Sequence, residues 1–175
     1  MPDDLARRVY ETAHLTGEFL LRSGQKSSEY FDKFRINADP VLLRDVATAM
    51  AALVPPDIDA LAGMEMGGIP LVTMLSQVTG LPARFVRKKA KEYGTRTIAE
   101  GGAVDGLRLL AVEDVVTTGG QVLLSTADLR AEGATVEACV CIIDREAGGA
   151  AAFAEIGLEL RPLFTMTQLN AAARG

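Results

Sequence analysis

The sequence predicts an α/β fold in which a central parallel sheet is flanked by helices, with an N-terminal segment laid over it. Two apolar runs, residues 107–112 and 136–143, are continuous rather than alternating, which is typical of strands buried on both faces. From residue 61 onward, helix-like segments separate such runs, and this alternation is the pattern of a doubly wound parallel sheet. A length of 175 residues suits one full hydrophobic core but hardly two, so we expect one domain.

The N-terminal part of the chain carries weaker signals. Its predicted elements are a helix at residues 3–15, β-like passages at residues 19–21 and 30–34 around a turn at residues 23–28, and a second helix at residues 40–53. The second helix is the better defined, because Asp39 is placed to cap it, Pro40 suits its first turn and Pro55 stops it.

The rest of the chain alternates between strands and helices. The predicted strands are residues 61–63, 83–86, 107–112, 136–143 and 158–164, and the predicted helices are residues 70–78, 119–132, 147–156 and 166–173. Ligands of such sheets bind beyond the carboxyl ends of the strands. Residues 63–68, 87–102 and 113–120 follow three of these strands, so we expect the functional residues there.

The composition excludes several classes of protein. Hydrophobic residues make up 49% of the chain and charged residues 23%, which are values of a globular rather than a disordered protein. No apolar run approaches the roughly 20 residues that a membrane-spanning helix needs. The first residues lack the basic and apolar regions of a signal peptide, and two cysteines are too few for a disulfide scaffold, so we expect a cytoplasmic protein.

Positive charge is concentrated in one segment of an otherwise acidic chain. The net charge is −5, yet residues 84–96 hold six basic residues and one acidic residue. Such a concentration predicts an anionic ligand, although a solvated basic hairpin would show the same composition. Gly94, Gly101 and Gly102 would let this segment open and close over the ligand.

The most informative segment is residues 109–120, where a buried strand runs into two acids, two apolar residues, two threonines and two glycines before a helix. Free N–H groups at a helix start form an anion site, to which Thr117 and Thr118 add hydroxyl donors. Glu113 and Asp114, if ionised, would repel a phosphate and accept hydrogen bonds from sugar hydroxyls. The segment therefore predicts a ribose 5-phosphate site; a strand ending in solvated acids, with a threonine cap on the next helix, is the alternative. A Walker A or Rossmann motif does not fit these residues.

Residues 110–122 resemble the signature with which type I phosphoribosyltransferases bind 5-phosphoribosyl 1-diphosphate (PRPP). Other segments resemble elements of the orotate phosphoribosyltransferases within that family. They are the N-terminal element at residues 19–28 and 30–32, the pyrophosphate loop at residues 63–70, the mobile catalytic loop at residues 87–94, and the strand end that reads orotate at residues 143–146. The likeness spans about residues 15–165, with the elements in the same order.

The resemblance implies an activity and a set of site residues. Such a pentosyltransferase joins orotate to the phosphoribosyl group of PRPP, giving orotidine 5′-monophosphate and pyrophosphate in pyrimidine synthesis. The residues implied for PRPP are Arg87, Lys88, Lys91, Tyr93, Glu113, Asp114, Val115, Val116, Thr117, Thr118, Gly119, Gly120 and Gln121, with Met66, Gly67 and Gly68 in the pyrophosphate loop. Lys91 and Asp114 would be the catalytic residues. Orotate would be contacted by Thr117, Arg145 and Arg22, and the guanidinium of Arg145 suits the orotate carboxylate.

The resemblance also implies a cofactor and partners. Mg²⁺ would be carried mainly by PRPP rather than by a protein site, because it prefers hard oxygen ligands and keeps several waters. Family members are homodimers whose mobile loop reaches the neighbouring site, so we expect a homodimer, without nucleic acid or membrane partners. The single domain would span residues 1–175, with residues 1–38 and the C-terminal segment forming a hood over a PRPP-binding core at residues 39–165.

Two positions depart from the family pattern, and two other functions stay open. Tyr93 stands where many members have a histidine near the pyrophosphate, and Arg22 stands where many have a lysine. A phosphoribosyltransferase for another nucleobase would not need Arg145 to read a carboxylate. A non-catalytic, PRPP-sensing regulator would use its basic face for nucleic acid.

Other polar or sulfur-bearing residues have structural interpretations. His14, the only histidine, is expected to lie in the first helix. Cys139 and Cys141 are expected in the core of a strand, since they lack further ligands for a zinc site. Met64 and Met66 are expected to pack within a loop.

Overall fold

The computed structural model describes residues 2–20, 24, 26–89 and 97–175. Their strands are β1 (His14–Leu20), β2 (Lys26–Phe31), β3 (Ala60–Met64), β4 (Ala83–Val86), β5 (Ala99–Glu100), β6 (Arg108–Val116), β7 (Thr135–Asp144) and β8 (Glu159–Thr165). Their helices are α1 (Pro2–Ala13), α2 (Phe34–Ala38), α3 (Pro40–Met50), α4 (Gly68–Thr79), α5 (Gly120–Ala131), α6 (Gly149–Glu155) and α7 (Met166–Ala172).

The centre of the fold is a six-stranded sheet in the order β5-β4-β3-β6-β7-β8. Its strands are parallel except β5, which runs antiparallel to β4 at one edge. β1 and β2 form a separate antiparallel hairpin. The predicted α/β fold, a central parallel sheet flanked by helices, is therefore confirmed.

The central strands are buried on both faces, as their continuous apolar runs predicted. In β6, Leu110 belongs to a core shared with α1, α3, α4 and α7, whereas its neighbour Ala111 belongs to a second core shared with α5 and α6. Cys139 and Cys141 of β7 are free thiols buried in the second core, as expected. Burial raises the pKa of both thiols, so they remain protonated inside the sheet.

The helix predicted at residues 40–53 is confirmed as α3. Asp39 caps α3, because its Oδ1 accepts hydrogen bonds from the N–H groups of Val41 and Leu42, both at 2.9 Å, and Pro40 opens the first turn. A 3-10 turn, Ala51–Leu53, then carries the helix to the predicted end. The longest helices have 12 residues, and within the described ranges none combines the length and apolar character needed to cross a bilayer.

The N-terminal segment differs from the prediction. α1 ends at Ala13, and His14 opens β1 instead of lying in the helix; its ring stacks on Tyr10 with centroids 4.7 Å apart. The hairpin is longer than the predicted β-like passages. The prediction fell short because most residues of the hairpin are exposed and no apolar run marks them. Phe34, assigned to the second passage, opens α2.

Two strands differ from the prediction where they approach the site. β6 continues through Val116 instead of ending at residue 112, so that Glu113 and Asp114 lie inside the strand. The predicted end was wrong because acidic residues normally mark solvent, whereas these two are 9% and 0% exposed. β5 was not predicted, since its two residues are too few to form a pattern.

Candidate functional site

A cavity of about 610 Å³ lies beyond the carboxyl ends of β3 and β6. The predicted site residues in its walls are Met66, Gly67, Lys88, Glu113, Val115, Thr117, Thr118, Gly119, Gly120 and Gln121. Gly68 and Val116 are buried beside them in the framework of the same segments. Four lining residues were not predicted: Lys33, Phe34, Glu65 and Val122. The structure thus brings the threonine–glycine segment, Glu113 of the acidic pair, the pyrophosphate-loop segment and the start of the basic segment to one cavity, with Asp114 buried behind its wall.

The segment at residues 117–120 connects β6 to α5 as an open loop. Gly119 has a left-handed backbone with φ of 74°, and a side chain at this position would overlap the ring of Phe153. Among the described residues, no side chain caps the N-terminus of α5, so the N–H groups of its first turn stay available to a ligand. The side chains of Thr117 and Thr118 are exposed at the cavity. Amides, hydroxyls and the helix dipole therefore converge on one wall, an arrangement that suits a phosphate monoester.

Glu113 lines the adjoining wall, whereas Asp114, also predicted for the site, is fully buried behind that wall. The two acids have different partners. The Oδ1 atom of Asp114 accepts hydrogen bonds from the Val115 N–H at 2.7 Å and from the Lys33 ammonium at 2.8 Å. The Oε1 atom of Glu113 accepts from the Asp114 N–H at 2.9 Å. Burial, together with the neighbouring Asp114, raises the pKa of Glu113 well above its ordinary value. In place of two equivalent ionised acids, the structure has one ion-paired carboxylate and one carboxyl that resists ionisation.

The pyrophosphate-loop segment packs directly on the acidic pair. A Cβ atom at Gly67 would overlap the carboxylate of Asp114, and one at Gly68 would overlap the carbonyl oxygen of Val112. The carbonyl oxygen of Gly67 accepts a hydrogen bond from the Asn37 amide at 3.0 Å. Both glycines are therefore required by close backbone approach, and Asn37 ties the loop to α2.

The two methionines of this segment lie in different surroundings. Met64 is buried at the end of β3, whereas Met66 is 60% exposed at the cavity, so its predicted packing within the loop is wrong. Between them, Glu65 accepts a hydrogen bond from the Lys88 N–H at 2.9 Å and donates its own N–H to the Val86 carbonyl at 2.8 Å. These bonds link the pyrophosphate-loop segment to the start of the basic segment.

The basic segment leaves the sheet next to the cavity. Lys88 lines the cavity, whereas the Arg87 guanidinium lies outside its walls, 3.9 Å from a carboxylate oxygen of Glu100. The Arg87 N–H also donates to the Ile98 carbonyl at 2.9 Å. Together with the β4–β5 pairing, this bond holds the two ends of residues 88–97 side by side.

Arg145 follows β7 directly and is exposed outside the cavity walls. Its N–H donates to the Val116 carbonyl at 2.8 Å, which holds the end of β7 against the end of β6. Asp144 accepts from the Glu146 N–H, and the Glu146 carboxylate accepts two hydrogen bonds from Thr167, which lower its pKa. In the described part of the chain, then, neither neighbouring acid is an ion-pair partner of Arg145.

Three predicted site residues have no described position, and two residues that contact the site were not predicted. Arg22, Lys91 and Tyr93 lie outside the described residues. Conversely, sequence reasoning missed Lys33 and Asn37, whose partners in the site follow 81 and 30 residues later. Their spacing of four residues, which suits one side of a helical turn, is the one sequence signal that joins them.

The donor set of the site bears on metal binding. Among the residues that the structure describes, no group of three or more His, Cys, Asp or Glu side chains is arranged to hold a metal ion. Asp114 is engaged by Lys33, and Glu113 favours its neutral form. The two acids therefore do not present a pair of free carboxylates to a cation.

Comparisons with known proteins agree with this geometry. Residues 35–152 match the family described as the phosphoribosyl transferase domain. A protein from Nocardioides sp., named orotate phosphoribosyltransferase, is 52% identical over 168 residues, which cover 96% of this chain and 94% of that protein. One of the same name from Methanocella arvoryzae is 39% identical over 170 residues, 97% of each chain. Among solved structures, the Mycobacterium tuberculosis orotate phosphoribosyltransferase in complex with PRPP is similar with a TM-score of 0.83 at 26% identity, covering 97% of this chain and 98% of that one.

Proposed function

The chain belongs to the orotate phosphoribosyltransferases of the phosphoribosyltransferase family, and from that premise we propose that it transfers the 5-phosphoribosyl group of PRPP to orotate. The products are orotidine 5′-monophosphate and pyrophosphate, in the synthesis of pyrimidine nucleotides. One observation carries the proposal from the family to this site: an open anion-binding loop and Glu113 line one cavity, and the buried Asp114 lies directly behind its wall.

The proposed contacts to PRPP follow the walls of that cavity. The 5-phosphate binds the loop from Thr117 to Gln121, where amides and hydroxyls converge. The ribose hydroxyls bind at Glu113 and Asp114, framed by Val115 and Val116 of the same strand. Because Glu113 favours its neutral form, it can donate a hydrogen bond as well as accept one.

The leaving pyrophosphate is proposed to bind between the pyrophosphate loop, Met66 to Gly68, and the basic segment. The C1–O bond breaks, and its electron pair leaves with the pyrophosphate while the orotate nitrogen bonds to C1. Lys88 and Lys91 stabilise the negative charge that grows on the leaving group, and Arg87 and Tyr93 are proposed as further pyrophosphate contacts. Little general acid or base chemistry is needed, since orotate arrives as an anion.

The orotate contacts are proposed for Thr117, Arg145 and Arg22. Arg145 is exposed at the end of β7 and unengaged by its neighbouring acids, which leaves its planar guanidinium available for the orotate carboxylate. Thr117 lines the cavity and supplies a hydroxyl there.

We also propose the cofactor, assembly and location of the enzyme. Mg²⁺ would be carried mainly by PRPP and would supply charge neutralisation to the pyrophosphate. The chain acts as a cytoplasmic homodimer whose basic segment reaches the neighbouring site. It forms one domain, with residues 1–38 and the C-terminal segment as a hood; the inclusion of α1 and α7 residues in one core supports that arrangement.

The experiment that tests the proposal is the loss of orotate absorbance on addition of PRPP and Mg²⁺, with uracil, hypoxanthine and adenine assayed in parallel. Turnover on orotate alone would support the proposal. Turnover on another base, unaffected by Arg145→Ala, would keep the PRPP site and replace the nucleobase. PRPP binding without turnover on any base would favour a regulator, whose binding of DNA or RNA would fall steeply with salt.

A further inference from the structure

The ion pair between Lys33 and Asp114 joins a buried anion to a cation at the cavity surface. The Lys33 ammonium lies 2.8 Å from Oδ1 of Asp114, and the two side chains are 36% and 0% exposed. Lys33 stands between β2 and α2, whereas Asp114 lies in the central strand β6. The contact therefore connects the N-terminal segment to the strand that carries the acidic pair.

The carboxylate of Asp114 is confined from several sides. Its Oδ1 also accepts from the Val115 N–H at 2.7 Å, and Gly67 approaches it so closely that no side chain could fit between them. Its Oδ2 is buried and has no hydrogen-bond partner among the described residues. A buried carboxylate in such a position depends on its cationic partner, because the loss of one partner leaves an uncompensated charge away from water.

We propose that Lys33 is a positioning residue for phosphoribosyl transfer, which holds the buried Asp114 carboxylate in place directly behind the wall of the PRPP cavity. The proposal rests on the function proposed above and adds a residue to it. Lys33 lines this cavity together with Gly67, Glu113 and Val115, the residues that surround Asp114, so the ion pair borders the place where the ribose is proposed to bind. An ammonium has three donors, and only one of them is directed at Asp114.

The surroundings of Lys33 favour this role over that of a surface tether. Its ammonium lies 5.5 Å from the centre of the Phe34 ring, which limits the directions open to its side chain. Nearby Asn37 holds the carbonyl of Gly67, the residue that backs the Asp114 carboxylate. Two side chains of the N-terminal segment thus fix the acid and the loop behind it.

The test compares Lys33→Gln with Lys33→Arg in the full-length protein. Positioning predicts that Lys33→Gln lowers kcat by about 10- to 100-fold, the order of loss that follows from a displaced catalytic group, while KM for orotate stays within about twofold. Lys33→Arg should recover most of the lost rate, because the contact is a single charged hydrogen bond that a guanidinium can also make.

The matched control is Arg8→Gln. Arg8 and Asp45 form an ion pair of the same length, 2.8 Å, that also joins the N-terminal segment to the core but lies outside the cavity walls. Loss of kcat in Lys33→Gln but not in Arg8→Gln would support positioning. An unchanged kcat in Lys33→Gln, or equal losses in both variants, would overturn it.

Two further measurements separate other outcomes. If Lys33→Gln fails to fold, Lys33→Gln/Asp114→Asn removes the unpaired charge; positioning predicts that this double variant and Asp114→Asn have the same kcat, and additive losses would contradict it.

Calorimetry of PRPP binding in the absence of orotate tests the ion pair independently of turnover. A wild type without turnover on orotate would contradict only the proposed function, and this measurement would still test the role of Lys33. Tighter PRPP binding by Lys33→Gln would show that Lys33 competes with PRPP for the cavity, and would contradict the proposal.

Discussion

Replacement of Gly67 by alanine tests how closely the pyrophosphate-loop segment is fitted to the acidic pair. The added methyl group would overlap the Asp114 carboxylate, which is held by Val115 and Lys33 and cannot withdraw without losing a hydrogen bond. Overpacking of this kind costs about 1–3 kcal/mol, and a lost hydrogen bond to a charged group costs about 1.5–3 kcal/mol. The backbone of Gly67 is right-handed helical, so the substitution adds no conformational strain.

The two costs add to an expected loss of stability of about 2.5–6 kcal/mol for Gly67→Ala, or a fall in Tm of roughly 5–24 °C for a chain of this size. Because Asp114 would move, kcat/KM for PRPP should also fall by about 100-fold. Thermal unfolding and steady-state kinetics measure the two effects separately.

The control for Gly67→Ala is Gly80→Ala at the other end of the same helix, α4. Gly80 has φ of 76° and open space around an added Cβ, so alanine there costs about 1–2 kcal/mol through backbone strain alone. We expect it to lower Tm and leave kcat/KM unchanged. A Gly67→Ala variant with wild-type Tm and kcat/KM would refute the argument from close approach.

Three further predictions concern substrate contacts and pH. Arg145→Ala should raise KM for orotate by about 10- to 100-fold, the value of charge-assisted bonds to a carboxylate, with KM for PRPP unchanged; a change in the PRPP constant alone would contradict its assignment. Lys91→Ala should lower kcat by about 100-fold or more while orotate binding changes little, and equal losses in both would speak against a leaving-group role. Because the pKa of Glu113 is raised in the folded state, its protonated carboxyl contributes stability that is fully present below the ordinary pKa of 4.5. This contribution is lost as the pH rises through the higher pKa of the folded state. As the pH rises from about 4 to about 8, the free energy of unfolding in urea should therefore increase for Glu113→Gln relative to the wild type. Parallel pH dependences of the two proteins would contradict the raised pKa.

The sequence predicted the central sheet well because its signals are local. The apolar runs of β6 and β7 and the caps and stops of α3 are each contained in a dozen residues or fewer. The threonine–glycine loop was predicted for the same reason, since its amides, hydroxyls and helix start are contiguous in the chain.

The parts that were missed depend on contacts between distant residues. Glu113 and Asp114 were predicted as ribose-binding acids just beyond the end of the strand, and their burial within it was missed, because no local pattern shows that Lys33 and Gly67 close over Asp114. β5 exists through its pairing with the end of β4, and its two residues carry no pattern of their own. The end of α1 before His14 was also missed, since the exposed hairpin lacks an apolar alternation that would mark its start.

The buried thiols of Cys139 and Cys141 can report local opening of the central sheet. They are the only cysteines in the sequence, they lie in β7 next to β6, and burial keeps them in the unreactive protonated form. A thiol reagent can therefore react only during excursions in which the central sheet separates from α5 and α6. The labelling rate of the unmodified protein measures how often the sheet opens, and a ligand that binds the ends of β6 lengthens the interval between those events.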